Sequence, residues 1–290
     1  MTSGLHSHPE VPDGITPRER PPEPPSGSLA PVPAWAPLAA LVSAFVVATL
    51  AYLLIAAGVE AGGGNVTTGG PPGLVISATL VQDIALIAAA FLFAGIWARG
   101  VTPATFGLRP TRLGPAIGWT LLTWAAFFAL TAIYIAAVGE PDQQELTRDL
   151  AEEESLAALV GYGVLLAFVA PLTEELFFRG FVFGVLRERV GVVGGALATG
   201  VVFGLVHVAG SPIETVGVLV ILGVLLCALY QRTGSILPCI ALHALNNAIS
   251  FAVTKDIPVG GAIVLVLGSA AAAVAVGAAV MQRSEAPQTP

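Results

Sequence analysis

Charged residues, lysine and cysteine are all scarce in this chain of 290 residues. Charged residues make up 11% of the sequence, against roughly a quarter in soluble globular proteins, which excludes a soluble enzyme. Lys255 is the single lysine, and 19 acidic residues outnumber the 12 basic ones, which excludes a nucleic-acid-binding protein. Cys227 and Cys239 lie in apolar runs, so the sequence has neither a disulfide framework nor a cysteine-based metal site.

Apolar residues make up 55% of the chain and its mean hydropathy is +0.84, values typical of an integral membrane protein. Eight apolar stretches occur, most of them with the length of about 20 residues that a helix needs to cross a bilayer. They lie at approximately 36–58, 74–98, 114–138, 156–186, 194–209, 213–230, 235–254 and 259–281. Because strand-like alternation is absent, the sequence predicts an all-α, polytopic membrane bundle of about eight transmembrane helices.

The first 34 residues are rich in proline, serine, glycine and charge, which predicts a disordered cytoplasmic tail. The transmembrane domain is expected at residues 35–282, and residues 283–290 form a short C-terminal tail. No apolar stretch directly follows a basic start, so the first span is expected to be retained rather than removed as a signal peptide. With a cytoplasmic N-terminus, nine of the 12 basic residues fall in inner segments, which favours cytoplasmic positions for both termini. We therefore expect a multi-pass protein of the plasma membrane.

Ionisable residues within the predicted spans are informative because each costs roughly 2.5 to 3.5 kcal/mol at the centre of a membrane helix. They include Asp83, Glu174, Glu175, Arg179, His207 and His243. Asp83 has no motif around it, and two roles stay open for it: a structural bond to a neighbouring helix, or a place near a functional site or proton path.

The fourth predicted span holds three charges within six residues. Glu175 and Arg179 are four residues apart, so they share a helix face and can form an ion pair. Glu174 is rotated by about 100° from Glu175 and has no cation on its own face, as suits a general base. Two interpretations stay open from this segment alone: Glu174 is a base, or both glutamates are structural partners of Arg179.

The fifth and seventh predicted spans add two imidazoles and an amide. Phe203 precedes His207 by one turn and can pack against its ring, while His243 and Asn247 share one helix face. At about 1.5 Å per residue, these groups and Glu174 lie at similar depths in the membrane. A carboxylate, two imidazoles and an amide are suited to activating water and stabilising an oxyanion, which is the chemistry of amide hydrolysis. No serine or cysteine is placed beside a histidine as a nucleophile, so direct attack by water is the simpler mechanism.

These residues form three motifs: Glu-Glu-x-x-x-Arg at 174–179, Phe-x-x-x-His at 203–207 and His-x-x-x-Asn at 243–247. In this order, and with Gly180 after the arginine, they resemble the CPBP family. That family comprises type II CAAX prenyl-protein endopeptidases and bacteriocin-processing or bacteriocin-immunity proteins, and is also called the Abi family. The resemblance covers about residues 156–254, a third of the chain.

The resemblance implies an intramembrane endopeptidase with an eight-span helical fold. Glu174 and His207 would activate a water molecule, and His243 and Asn247 would complete the site as oxyanion donors. The supporting residues are Glu175, Arg179 and Phe203. No metal or cofactor is expected, because the family is similar to glutamate-dependent, metal-independent proteases. The alternative is a zinc site in which Glu174, His207 and His243 are ligands and water is the fourth.

Two other functions stay open. A non-catalytic immunity or scaffold protein would keep the same polar core for structure. A small transporter would use Asp83 and Glu174 as a proton relay, although the sequence has no internal repeat.

The expected partners of the proposed protease are the lipid bilayer and a peptide or membrane-protein substrate, with no nucleic acid. Eleven arginines beside one lysine, with many alanines, glycines and prolines, are typical of a GC-rich bacterial genome, in which prenylated CAAX substrates are not expected. The oligomeric state is left open.

Overall fold

The computed structural model describes residues 27–66, 71–140, 142 and 144–258, with positions 260, 261, 264, 267, 268, 271 and 275. Over these residues the regular structure is helical and contains no strand, which confirms the all-α prediction. Residues 1–26 of the predicted tail, the tail at 283–290 and most of the predicted eighth span at 259–281 lie outside the described residues.

The bundle begins with three long helices: α1 (Ala36–Ala61), α2 (Pro72–Trp97) and α3 (Leu113–Val138), with a 3-10 turn at Pro103–Phe106 before the third. A short helix, α4 (Glu145–Glu152), precedes a long helical run. That run contains α5 (Leu156–Val164), a first π segment (Leu165–Val169), α6 (Ala170–Glu174), a second π segment (Glu175–Phe183) and α7 (Gly184–Leu205). The next two helices are α8 (Ile213–Thr233) and α9 (Leu237–Thr254). Proline at the start of α2 and a left-handed Gly234 after α8 are typical boundary residues.

Six helices among the described residues are long and apolar enough to cross a membrane. They are α1, α2, α3, the whole run Leu156–Leu205, α8 and α9. The predicted fourth and fifth spans, 156–186 and 194–209, both fall on that single run, and helix α7 ends at Leu205 rather than at 209. The count is therefore six over the described part of the chain, where the sequence analysis expected about eight.

The run Leu156–Leu205 reverses its direction at Gly191. This residue has φ +76° and ψ 170°, a conformation that side chains disfavour and glycine tolerates. A β-carbon on Gly195 would lie 2.9 Å from the backbone nitrogen of Arg187. In a straight helix those two residues would be about 12 Å apart, so the parts before and after Gly191 form two separate arms.

The last residues of the predicted N-terminal tail pack onto the bundle. Leu29 and Val32 are buried, and a β-carbon on Gly184 would lie 2.9 Å from the Leu29 side chain. Arg189 donates hydrogen bonds from Nη2 to the carbonyls of Ala30 and Val32, at 2.9 and 2.8 Å. The packed part of the protein therefore begins before residue 35, because these two apolar side chains fill space beside α7.

The outer surface of the bundle is strongly apolar. Leu54 of α1 is 76% exposed, and Leu113 and Ile133 of α3 are 75% and 66% exposed. Large apolar side chains that are exposed over a wide area indicate a surface in contact with an apolar environment rather than with water. Together with the long apolar helices, this surface makes the protein a multi-pass membrane protein.

Glycines bring the helices that surround the second π segment close together. Every residue of this segment is buried. A β-carbon on Gly180 would lie 2.6 Å from the carbonyl oxygen of Phe106, so only glycine allows this approach to the 3-10 turn. A β-carbon on Gly200 of α7 would lie 2.9 Å from the backbone of α8. This close crossing places the neighbouring Phe203 against the second π segment, where its ring lies 5.1 Å from that of Phe178.

Candidate active site

Glu174 lies at the junction between α6 and the second π segment, in a helix that is irregular on both sides of it. In the first π segment, the N–H of Ala170 bonds to the carbonyl of Leu165, five residues back. The next carbonyl, that of Leu166, would need an N–H at residue 171, which is a proline and has none. Such segments are frequent at functional sites.

Asn247 satisfies the carbonyl that Pro171 leaves free. Its Nδ2 atom, on α9, donates a hydrogen bond of 2.9 Å to the Leu166 oxygen. A buried carbonyl without a donor is costly, so this bond stabilises both the π segment and the orientation of the amide. One N–H of Asn247 is therefore committed to the backbone, and the second is available to another acceptor.

Glu175 joins two of the other predicted site residues. Its Oε1 atom lies 2.9 Å from Nη1 of Arg179 and 2.8 Å from Nδ1 of His243. The Glu175 and Arg179 side chains are completely buried, and that of His243 is 5% exposed. Because a carboxylate only accepts, Nδ1–H of His243 is the donor. The bond between Glu175 and His243 connects two helices and was absent from the sequence analysis, which placed Glu175 with Arg179 alone.

The ring of Phe203 packs against three side chains of the cluster. The Arg179 guanidinium lies 4.4 Å above its ring, within the range of a cation–π interaction. The rings of His207 and His243 lie 5.2 and 5.9 Å from it. One aromatic side chain thus contacts the buried cation and both imidazoles.

Glu174 is the more accessible of the two motif glutamates. Its side chain is 19% exposed, and its Oε2 atom lies 3.9 Å from Nε2 of His243. This distance is too long for a hydrogen bond, and the same oxygen is buried without a hydrogen-bond partner. Glu174 therefore has a carboxylate oxygen that is free to accept a proton.

His207 lies in the turn after α7, at the edge of the cluster. Its Nδ1 atom is 2.8 Å from the carbonyl oxygen of Phe203. Since a carbonyl only accepts, Nδ1 carries a proton, and in the neutral ring Nε2 then presents a lone pair. Among the described residues, no hydrogen bond or ion pair joins His207 to Glu174. The structure thus gathers Glu174, Glu175, Arg179 and His243 directly and holds His207 beside them through Phe203.

The alternative zinc site would take Glu174, His207 and His243 as ligands. Over the described part of the chain, no three histidine, cysteine, aspartate or glutamate side chains are arranged to hold a metal ion. The expectation that no metal or cofactor is needed stays a prediction.

Asp83 reaches the same region from α2. It is 3% exposed, and α2 packs on α6 and on the second π segment, which meet at Glu174. Its role stays open from the sequence, because no motif connects it to the fourth span. The only available signal was its charge inside an apolar helix.

The fold and the site together define a multi-pass helical membrane protein with a buried cluster of carboxylate, imidazole and amide groups of the kind that hydrolases use. Residues 156–249 match a family model described as "Type II CAAX prenyl endopeptidase Rce1-like", a family of proteases. The match spans all three motifs, from Glu174 to Asn247, and confirms the family resemblance over this segment. No curated protein and no solved structure matches the chain.

Proposed function

We propose that the protein is an intramembrane endopeptidase that hydrolyses peptide bonds by attack of an activated water molecule. The observation that carries this proposal is Glu174: a carboxylate with an unpartnered oxygen beside His243, inside the segment that matches the endopeptidase family. A scaffold has no need for such a group, because an unsatisfied buried carboxylate oxygen is destabilising.

The water is activated between Glu174 and His207. Glu174 accepts its proton, and the lone pair on Nε2 of His207 accepts a hydrogen bond that orients it. The hydrogen bond from Nδ1 of His207 to Phe203 keeps this tautomer in place. The attacking oxygen then adds to the peptide carbonyl, and Glu174 later delivers the proton to the leaving amine.

The oxyanion is stabilised by His243 and Asn247. Nδ1–H of His243 is taken by Glu175, so Nε2 donates to an oxyanion only when the ring is doubly protonated. The second N–H of Asn247 supplies the other donor, since the first is held by Leu166. Preorganised donors of this kind contribute about 2.7–4 kcal/mol each to lowering the barrier.

The proposal also includes the substrate class, the membrane and the orientation of the protein in it. The substrate is a peptide or a membrane protein in the lipid bilayer of the plasma membrane, both termini are cytoplasmic in an eight-span arrangement, and no metal or nucleic acid takes part. The excess of basic residues in the inner segments supports the orientation. The reversal at Gly191 supports counting the run Leu156–Leu205 as two spans.

Cleavage of a broad peptide library, including membrane-anchored peptides, by purified protein in detergent tests this function. Glu174→Gln should lower cleavage by about 100-fold or more, because it removes the general base without changing the side chain's size. Glu188→Gln is the matched control: Glu188 is 51% exposed and its ion pair with Arg187 is at the surface. A chelator should have no effect.

Three other results of this cleavage experiment would each change the proposal. Full activity of Glu174→Gln would contradict the assignment of the base. Activity lost to a chelator and restored by zinc alone would overturn the metal-free mechanism. A folded wild-type protein that cleaves nothing would favour the non-catalytic immunity or scaffold function, for which the structural bonds made by Asn247 and Glu175 already provide a reason.

A further inference from the structure

A cavity lies at the end of the bundle where α2 and α8 end and α3 begins. Its volume is about 360 Å³, within the range of small-ligand sites. It is enclosed by the N-terminal segment, the connection between α2 and α3, the second π segment, the start of α7 and the end of α8. No residue assigned to the proposed active site or to its support is part of the described lining.

Two arginines, Arg109 and Arg187, line this cavity. Arg109 donates from Nε to the carbonyl of Gly234 at 2.6 Å, and no other hydrogen bond or ion pair of its guanidinium occurs among the described residues. The Arg187 guanidinium lies 5.4 Å from the centre of the Tyr230 ring and donates from Nη1 to Gln231 at 3.5 Å. Because a guanidinium has five N–H donors, each arginine keeps several for a ligand.

Glu188 is the one carboxylate among the described lining residues. Its Oε1 atom lies 3.6 Å from Nε of Arg187, and its side chain is 51% exposed, so water solvates much of its charge. Two positive charges and one negative charge leave the described lining with a net formal charge of +1. The cavity therefore favours an anion.

Three hydroxyl groups of the lining accept hydrogen bonds from the backbone. Ser28 Oγ accepts from the N–H of Ala30 at 3.2 Å, and Thr105 Oγ1 accepts from the N–H of Thr102 at 3.0 Å. The Thr102 side chain in turn accepts from the backbone of Thr105. A hydroxyl that accepts a hydrogen bond keeps its own proton to donate. The cavity is thus rich in donors, which suits a ligand rich in acceptors.

We propose that this cavity binds a phosphate group. Phosphate oxygens accept hydrogen bonds, and guanidinium groups form charge-assisted bonds to them, frequently two at a time. A phosphodiester carries a single negative charge, which the net charge of the lining balances. The proposal does not rest on the proposed function, because the cavity and the candidate active site have no described residue in common.

The phosphate group has two possible sources, a lipid headgroup and a soluble compound, and the depth of the cavity favours the headgroup. The rings of Trp35 and Trp97, at the start of α1 and the end of α2, lie 5.3 Å apart in an edge-to-face contact. Tryptophan is enriched at the membrane–water interface, where lipid headgroups lie. Gly100, which lines the cavity, follows Trp97 by three residues, so the cavity lies near the level of this interface.

Thermal unfolding of the full-length protein in a maltoside detergent, which contains no phosphate, tests the proposal. A ligand that binds the folded protein raises the unfolding midpoint. Short-chain phosphatidylglycerol should raise it in a saturable way, and diacylglycerol with the same acyl chains should not. Inorganic phosphate is compared with sodium chloride at equal ionic strength. A rise with phosphatidylglycerol alone would make a lipid headgroup the source, and a rise with inorganic phosphate as well would show that the phosphate group alone is bound.

Substitutions locate the binding in the cavity. Arg109→Gln and Arg187→Gln should each raise the phosphatidylglycerol concentration for a half-maximal rise about tenfold or more, and Arg109→Lys should recover part of the loss because it keeps the charge. Arg112→Gln is the matched control, since it removes an exposed arginine at the same end of the bundle that does not line the cavity. Each variant is compared with itself without ligand, which separates weaker binding from a less stable fold.

Three results would overturn the inference. They are no rise with phosphatidylglycerol or inorganic phosphate in the wild type, an equal rise with diacylglycerol, and equal half-maximal concentrations in the wild type, Arg109→Gln and Arg187→Gln.

Discussion

Glu175 is the counter-ion of a completely buried arginine, and its replacement by glutamine would leave that charge uncompensated. The Glu175 and Arg179 side chains are both 0% exposed, and the Oε1–Nη1 distance is 2.9 Å. Removing one partner of a buried ion pair costs about 3–5 kcal/mol, because the remaining charge is desolvated and unpaired. We expect the free energy of unfolding to fall by this amount, a large part of the roughly 5–15 kcal/mol typical of a folded protein.

Glu188→Gln is the matched control for this loss. The ion pair of Glu188 with Arg187 spans 3.6 Å, and the two side chains are 51% and 28% exposed. An exposed pair of this kind contributes about 0–1 kcal/mol, because water solvates both charges. The measurement is equilibrium unfolding of each purified variant in mixed micelles, followed by fluorescence of the four tryptophans.

A double variant separates the effect of charge from the effect of packing. When Arg179→Met is added to Glu175→Gln, the uncompensated cation is gone as well, and part of the lost stability should return. Similar losses in Glu175→Gln and Glu188→Gln would refute the reasoning. So would a double variant in which the two single losses simply add.

Two further substitutions test the backbone geometry of the site. Gly180→Ala would place a β-carbon 2.6 Å from the Phe106 carbonyl oxygen and should lower stability by about 1–3 kcal/mol in the same unfolding assay, whereas Gly118→Ala, with no atom within 4 Å, should be close to neutral or slightly stabilising. Pro171→Ala would supply the missing backbone N–H, which competes with Asn247 for its carbonyl acceptor. Turnover of this variant in the cleavage assay should fall, while its free energy of unfolding should change by less than about 1 kcal/mol. Unchanged turnover would contradict the positioning of Asn247 by this carbonyl.

The helical class of the fold could be predicted because apolar runs of membrane length are a strong signal. The separate spans predicted at 156–186 and 194–209 imply a reversal between them, but its position at Gly191 could not be predicted, because a positive φ leaves no trace in hydropathy. The packing of Leu29 and Val32 could not be predicted either, because the residues around them are mostly polar. Two apolar side chains in a polar, proline-rich stretch do not change its average composition, so composition gives no sign that they are buried.

The parts of the site within one helix could be predicted, and the contacts between helices could not. The separation of Glu175 and Arg179 by four residues sufficed to predict that they share a face, and they are 2.9 Å apart. The hydrogen bond from His243 to Glu175 joins residues 68 positions apart, and no pattern in a single sequence reports such a contact.

Asn247 combines a structural bond with a proposed catalytic one on the same nitrogen atom. Because the amide is planar, the hydrogen bond to Leu166 also sets the direction of the second N–H, the proposed oxyanion donor. Any substitution of Asn247 removes both bonds, so it cannot distinguish the two roles. Pro171 can, since it controls the demand for the first bond without altering the amide. A proline three residues before the proposed base is therefore part of what orients the oxyanion site on the facing helix.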